Sequence, residues 1–306
     1  MKNIIFLYAT MLFCLSAWSQ TTSDQWYNQS RTYFDRKDFY HALKSVERSV
    51  KADSSNVKAY YLRGLIYYNT KQFKEAISDF DKAIELNSSY ERPYYFRGAS
   101  KDRTLDYKGA LADYEMQVKL FPHDADSYFN RGNVRRELND LQGAIADLDT
   151  AIMLNRHVPG YWTARGIAKS ALEQYAEAAK DLDKAIALDH HFAAGYGNRG
   201  VIRLRTKDYE GALQDLNKSI ALDSSDVTAY YNRAEAEYML KDYKNALLDC
   251  NIVLLSWPNN PDVLGLRSNV QLLLGNKKEG CADYRSSVRN GAQRIPAIEN
   301  YCESKN

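Results

Sequence analysis

Reactive side chains are scarce in this chain. Its 306 residues include five histidines and four cysteines, with no recognisable Ser–His–Asp or Cys–His set. Nothing here calls for catalysis, a metal or a cofactor, and none is expected. Charge of one sign is missing too: 41 Lys and Arg stand against 39 Asp and Glu, so net charge draws the chain neither to nucleic acid nor to an anionic membrane. With 15 Gly and 6 Pro there is no flexible linker. After residue 20 no apolar run is long enough to cross a bilayer.

The first twenty residues, MKNIIFLYATMLFCLSAWSQ, are of another kind. Lys2 is their only charge, an apolar run follows from Ile4 to Leu15, and Ala17 and Ser19 supply small residues before Gln20. This pattern predicts a secretory signal peptide over 1–19, cleaved after Ser19. The expected destination is across the inner membrane, periplasmic or extracellular, with no membrane insertion after cleavage. A retained anchor is the weaker alternative, because the run is short for a span.

The rest of the sequence repeats. Rows of 34 residues starting at Ser23, Val57, Glu91, Ala125, Pro159, Ala193, Val227 and Pro261 align without an insertion. The fourth place holds Trp26, Tyr60, Tyr94, Tyr128, Trp162, Tyr196, Tyr230 and Leu264. The eighth holds Gly64, Gly98, Gly132, Gly166 and Gly200, with Ser30, Ala234 and Ser268 in the other rows. The twentieth holds alanine in seven rows and Gly280 in the last. Each row contains two amphipathic segments of helical period, such as AYYLRGLIYY and KEAISDFDKAIEL. One such pair cannot bury its apolar face alone, so pairs must stack.

Period and pattern resemble the tetratricopeptide repeat. Pro122 and Pro258 occupy that family's proline place, while arginine replaces its usual leucine before the early glycine. The resemblance implies an all-α, right-handed superhelical solenoid of eight repeats (23–56, 57–90, 91–124, 125–158, 159–192, 193–226, 227–260, 261–294), followed by a C-terminal capping segment at 295–306. It also explains Gly195-x-Gly197-x-x-Gly200. A dinucleotide loop needs a strand before its glycines, whereas these fall inside a helix.

The rows align the chain with itself. The seventh place is Arg63, Arg97, Arg131, Arg165, Arg199, Arg233 and Arg267, but Gln29 in row one. The twenty-third is Asp79, Asp113, Asp147, Asp181, Asp215, Asp249 and Asp283, but Ser45 in row one. The two charges come and go together, which predicts one structural Arg–Asp pair within each of rows two to eight. Pairing with the arginine of the next row would strand Arg63 and Asp283.

In the resembled family the first helix of each pair lines the concave face, where ligands lie. A partner-binding surface is therefore expected in two parts. One is an aromatic stripe of Tyr27, Tyr61, Tyr95 and Phe129 at the fifth place, joined by Phe34 and Tyr68 at the twelfth. The other is a shallow apolar patch in rows five and six, with Ile167, Gly197, Val201 and Leu204 beside Arg205. The expected function is a non-enzymatic scaffold of the cell envelope that binds a protein or peptide. Alternatives are a chaperone-like carrier of extended chains, or glycan stacking on the stripe.

Cys281 lies in the last repeat and Cys302 in the tail. In an oxidising compartment a disulfide between them would staple the cap; two free buried thiols is the alternative. The ending GCADYRSSVRNG…ENYC resembles the Sel1-like terminal units of secreted bacterial proteins of this type. Cys250 falls at a core place as an inert thiol. His123, His157 and His191 share a loop place in consecutive rows, too far apart for one metal.

Overall fold

A computed structural model describes residues 22–90 and 92–304. The expected signal peptide lies outside them. The described residues are helical without a strand, and the chain divides into two compact units that meet in sequence at Leu154 and Asn155.

The first unit contains α1 (22–35), α2 (Phe39–Ala52), α3 (Val57–Asn69), α4 (Phe73–Leu86), α5 (Pro93–Arg103), α6 (Tyr107–Leu120), α7 (Ala125–Glu137) and α8 (Leu141–Leu154). The second contains α9 (Pro159–Ala171), α10 (Tyr175–Leu188), α11 (Ala193–Arg205), α12 (Tyr209–Leu222), α13 (Val227–Met239), α14 (Tyr243–Ser256), α15 (Pro261–Leu273), α16 (Lys277–Arg289) and α17 (Pro296–Glu303). In both, each 34-residue row supplies one helix hairpin. The fold is of the tetratricopeptide type.

The hairpin turn is fixed by its fifteenth place, which takes a left-handed backbone in every row. Lys37, Lys71, Leu105, Asn139, Glu173, Lys207 and Lys241 have φ of 60–65°, and Gly275 has 84°. The N–H of the next residue then reaches back to the eleventh-place carbonyl, as Asp106 does to Lys101 at 2.9 Å, closing the first helix in a Schellman arrangement. That next residue also opens the second helix. The Asp38, Asp106, Asp208 and Asp242 carboxylates accept from the backbone N–H three residues on.

Small residues at the eighth place let the two helices of a hairpin touch. A Cβ on Gly64 would lie 2.7 Å from the Phe80 ring, and one on Gly200 would lie 2.8 Å from Leu216. Where the place is serine, the hydroxyl is not wasted. Ser30 and Ser268 donate to the Ala42 and Gly280 carbonyls, both at 2.8 Å. The layers between hairpins are filled by clusters such as Ala42–Val46–Leu62–Ile66 in the first unit and Leu204–Leu216–Ile220–Ala229 in the second.

At the C-terminus, Cys281 of α16 is disulfide-bonded to Cys302 of α17. None of the α17 residues is buried. Besides the disulfide, the Ile295 N–H donates to the Tyr284 hydroxyl at 2.7 Å, and Lys277 Nζ reaches the Ser304 carbonyl at 2.8 Å. The cap is held by polar and covalent ties rather than by burial.

Candidate functional site

Seventh-place arginines meet twenty-third-place aspartates within their own rows. Arg63 Nε and Nη2 donate to Asp79 at 2.8 and 2.6 Å, and Arg131 repeats both distances on Asp147. Arg97–Asp113, Arg165–Asp181, Arg199–Asp215, Arg233–Asp249 and Arg267–Asp283 follow. Each guanidinium in rows two to seven also covers its fourth-place ring, from Tyr60 under Arg63 to Tyr230 under Arg233. This explains why arginine stands where the family has leucine. Its stem and face pack on the ring, and its edge satisfies a buried carboxylate.

Two further partners are absent from the sequence reading. The eleventh place adds a second cation in rows three to six, with Lys101, Arg135, Lys169 and Arg203 at 2.8–2.9 Å from the same aspartates. The remaining arginine nitrogen reaches back one hairpin to the twenty-fifth place. Arg97 donates to Asp81 and Arg199 to Asp183 at 2.6 Å, while Arg233 donates to Asn217 at 2.8 Å. The recurrence of Asp or Asn there was visible in the rows. Which helix it faced was not.

The aromatic stripe is corrected at Tyr61. Tyr61 is 6% exposed, edge-on to Tyr90 and Phe96 and tilted against Phe80. Tyr27 and Phe34 pack half-buried on the Ala42–Val46 cluster, and Tyr68 lies edge-on to Phe73 and Phe96. Tyr95 is held under the Arg92 guanidinium at 4.0 Å, and its hydroxyl accepts from Asn130. Phe129 faces a cavity beside Asp102, Asn133 and Arg136, and Tyr61 edges another with Arg92, Phe121 and Asp124. Tyr61 and Tyr95 lean over their own second helix and the next hairpin, so Tyr61 fills a layer, while Tyr27, Phe34, Tyr68, Tyr95 and Phe129 stay half-buried.

The patch in rows five and six is corrected in two members. Leu204 is 9% exposed, within the Leu216–Ile220 cluster. Gly197 is a close-approach position, where a Cβ would sit 3.0 Å from the Ser219 hydroxyl that donates to the Ala193 carbonyl. Ile167 and Val201 do line a cleft between α9 and α11. Its volume is about 290 Å³, its other walls include Ser170, Ala171 and Asn198, and Arg205 is the one charged residue lining it.

Groups that could do chemistry are placed elsewhere. Gly195, Gly197 and Gly200 all lie inside α11. Cys250 is fully buried, and burial pushes its thiol up to about 12, so it stays protonated and unreactive. His123, His157 and His191 are exposed, and no metal-holding group of His, Cys, Asp or Glu occurs among the described residues. No helix of the described residues is long and apolar enough to cross a membrane.

Comparison with known proteins agrees with this geometry. Models of the tetratricopeptide repeat match residues 57–90 and 98–159, and a model described as TPR repeat matches 202–241. No curated protein sequence matches significantly. Among solved structures, the APC/C hetero-tetramer Cut9–Hcn1 aligns over 90% of this chain at 15% identity and TM-score 0.69. The chain spans about half (54%) of that relative's length. PilF of Pseudomonas aeruginosa aligns over 71% of this chain and 99% of its own at 16% identity and TM-score 0.60. YrrB, described as a TPR protein with an unusual peptide-binding site, aligns over 60% and 95% at 22% identity and TM-score 0.50.

Proposed function

We propose that the face made by the first helices of these tetratricopeptide repeats docks a protein or peptide partner, and that the chain is a non-enzymatic scaffold of the cell envelope. Repeats of this type generally mediate protein or peptide interaction. The observation that carries the reading is the cleft of Ile167, Ser170, Ala171 and Val201. It has apolar walls, a single cation at Arg205, and no large side chain of its own filling it. An envelope location is supported by the signal-like residues 1–19 and by a disulfide that an oxidising compartment maintains.

The test is a photoreactive residue at Val201 in the full chain, crosslinked in cells and identified by mass spectrometry. One dominant partner, lost when Ile167 and Ala171 are changed to glutamate, is the expected result. Crosslinks only to diverse unfolded proteins would replace the scaffold with a carrier, and an absence of any crosslink would remove the cleft as a docking site.

A further inference from the structure

A second cavity lies on the first-helix face, at the end of the second unit. It measures about 320 Å³ and is lined by α13, α15, α16, the segment that leads into α17 and the first turn of α17. Asp262, Gly265 and Asn269, spaced three and four residues apart, turn one face of α15 toward it. Tyr231 comes from α13, and Ile295 and Ile298 come from the tail that the Cys281–Cys302 disulfide ties to α16.

Gly265 is the residue that asks for an occupant. Its place carries Tyr27, Tyr61, Tyr95, Phe129 and Tyr231 in five rows, and Thr163 and Gly197 in the other two. The glycines at Gly64, Gly132 and Gly200 are forced by neighbours 2.7–3.1 Å from where a Cβ would be. At Gly265 an added Cβ meets nothing within 4 Å, and the residue sits inside a helix rather than at a turn. A helix-interior glycine costs about 0.5–1 kcal/mol against alanine, and here neither packing nor backbone returns it. What the glycine provides is open space.

The walls say what fits. Asp262 is the only formally charged lining residue, and its carboxylate has no ion pair or hydrogen bond among the described residues. Around it stand two aromatic rings, two amides and two isoleucines, with no cation. Burial, then the negative charges of Glu235 and Asp262, pushes the Tyr231 hydroxyl pKa up, against the opposing charge of Arg205.

We propose that this cavity receives a cationic side chain, arginine or lysine, from the partner's docked segment. The aliphatic stem lies along Tyr231, Ile295 and Ile298, and the charged head meets Asp262, with the Asn269 carbonyl oxygen accepting a further hydrogen bond. This rests on the reading that the first-helix face docks a peptide or protein.

The probe is acetyl-Gly-Arg-Gly-amide, titrated into nitrogen-15-labelled full-length chain beside its citrulline counterpart, which keeps the shape and removes the charge. The Gly265 and Asn269 resonances are expected to move with the arginine peptide, at an affinity about tenfold above that of citrulline. Asp262→Asn should erase the difference. Gly265→Leu should abolish binding while the remaining spectrum shows an intact fold. Equal binding of the two peptides, or undiminished arginine binding in Gly265→Leu, overturns the proposal. A partner captured at Val201 whose affinity is indifferent to Asp262→Asn and Gly265→Leu sinks this inference alone. Selective arginine binding with no capture at Val201 sinks the cleft alone.

Discussion

Glu237 stands at the eleventh place of row seven, where rows three to six put lysine or arginine beside the aspartate. It is 6% exposed, and its Oε2 has no hydrogen-bond partner. Oε1 is 3.9 Å from Arg233 Nε, while Asp249 of α14 and Asp242 just before that helix add negative charge. Burial, then Asp249, lifts its pKa to about 7. The sign follows directly. Below the unfolded value near 4.5 the residue is protonated in both states and the full stability is present. As pH rises toward 7 the unfolded chain ionises first, and about 3 kcal/mol is lost, with no further loss above that. Urea midpoints should therefore fall between pH 5 and pH 8, and Glu237→Gln should flatten the fall. Glu237→Lys, which gives Asp249 the second cation its counterparts have, should raise stability at pH 8.

Two glycines provide a contrast at the same scale. Gly64→Ala drives a Cβ to 2.7 Å of Phe80 and should cost about 1–3 kcal/mol in thermal or urea unfolding. Gly265→Ala meets nothing and should stabilise by about 0.5–1 kcal/mol. Both are helix-interior residues, Gly64 in a column of glycines and Gly265 in a mostly aromatic one. Only the distance to the neighbouring helix separates a packing position from an open one.

At the scale of the element, the left-handed fifteenth place is uniform across rows although its residue type is not. Leu105 has φ of 64° and is 71% exposed, so it bears the steric cost of that backbone and gains no burial. Leu105→Gly should stabilise the α5–α6 hairpin by about 0.5–1 kcal/mol, measured as slower amide exchange across Tyr107–Leu120. The last element behaves differently. Since α17 buries none of its residues, reduction of the disulfide or Cys302→Ser should raise exchange throughout Pro296–Glu303 and leave α15 nearly unchanged. A cap was legible from Pro296 and the two cysteines. That it would adhere by a bond and a few polar contacts was not, because the periodicity of eight residues says little about the face they meet.

At the scale of the molecule, hairpins in each unit contact their immediate neighbours, so stability is a sum of local parts and unfolding need not be all-or-none. Asp147→Ala removes the carboxylate of Arg131 and the nearer of two from Arg135, which keeps Asp140 and the Gly143 carbonyl; it should cost about 3 kcal/mol, concentrated as faster exchange in α7 and α8 rather than in α2 and α3. The helix pattern and the Arg–Asp register were readable because eight rows report on one another. The proposed docking face was readable only in part. Ile167 and Val201 line a cleft, but Leu204 is buried and Tyr61 shows only an edge, because the repeat fixes which helix a side chain leaves and not which way its χ angles carry it.

The back-reaching bonds have a further consequence. Arg63 to Asp79 and Arg97 to Asp81 each bridge sixteen residues, one forward and one backward. Nothing in such a clamp waits for a distant part of the chain. A polypeptide delivered end-first, from a ribosome or through a translocation pore, can finish each hairpin about one repeat after it emerges and lock it to the one before. The length of unprotected chain at any moment then stays near a single repeat, however many follow, and contact order this low favours rapid folding with little exposure to aggregation.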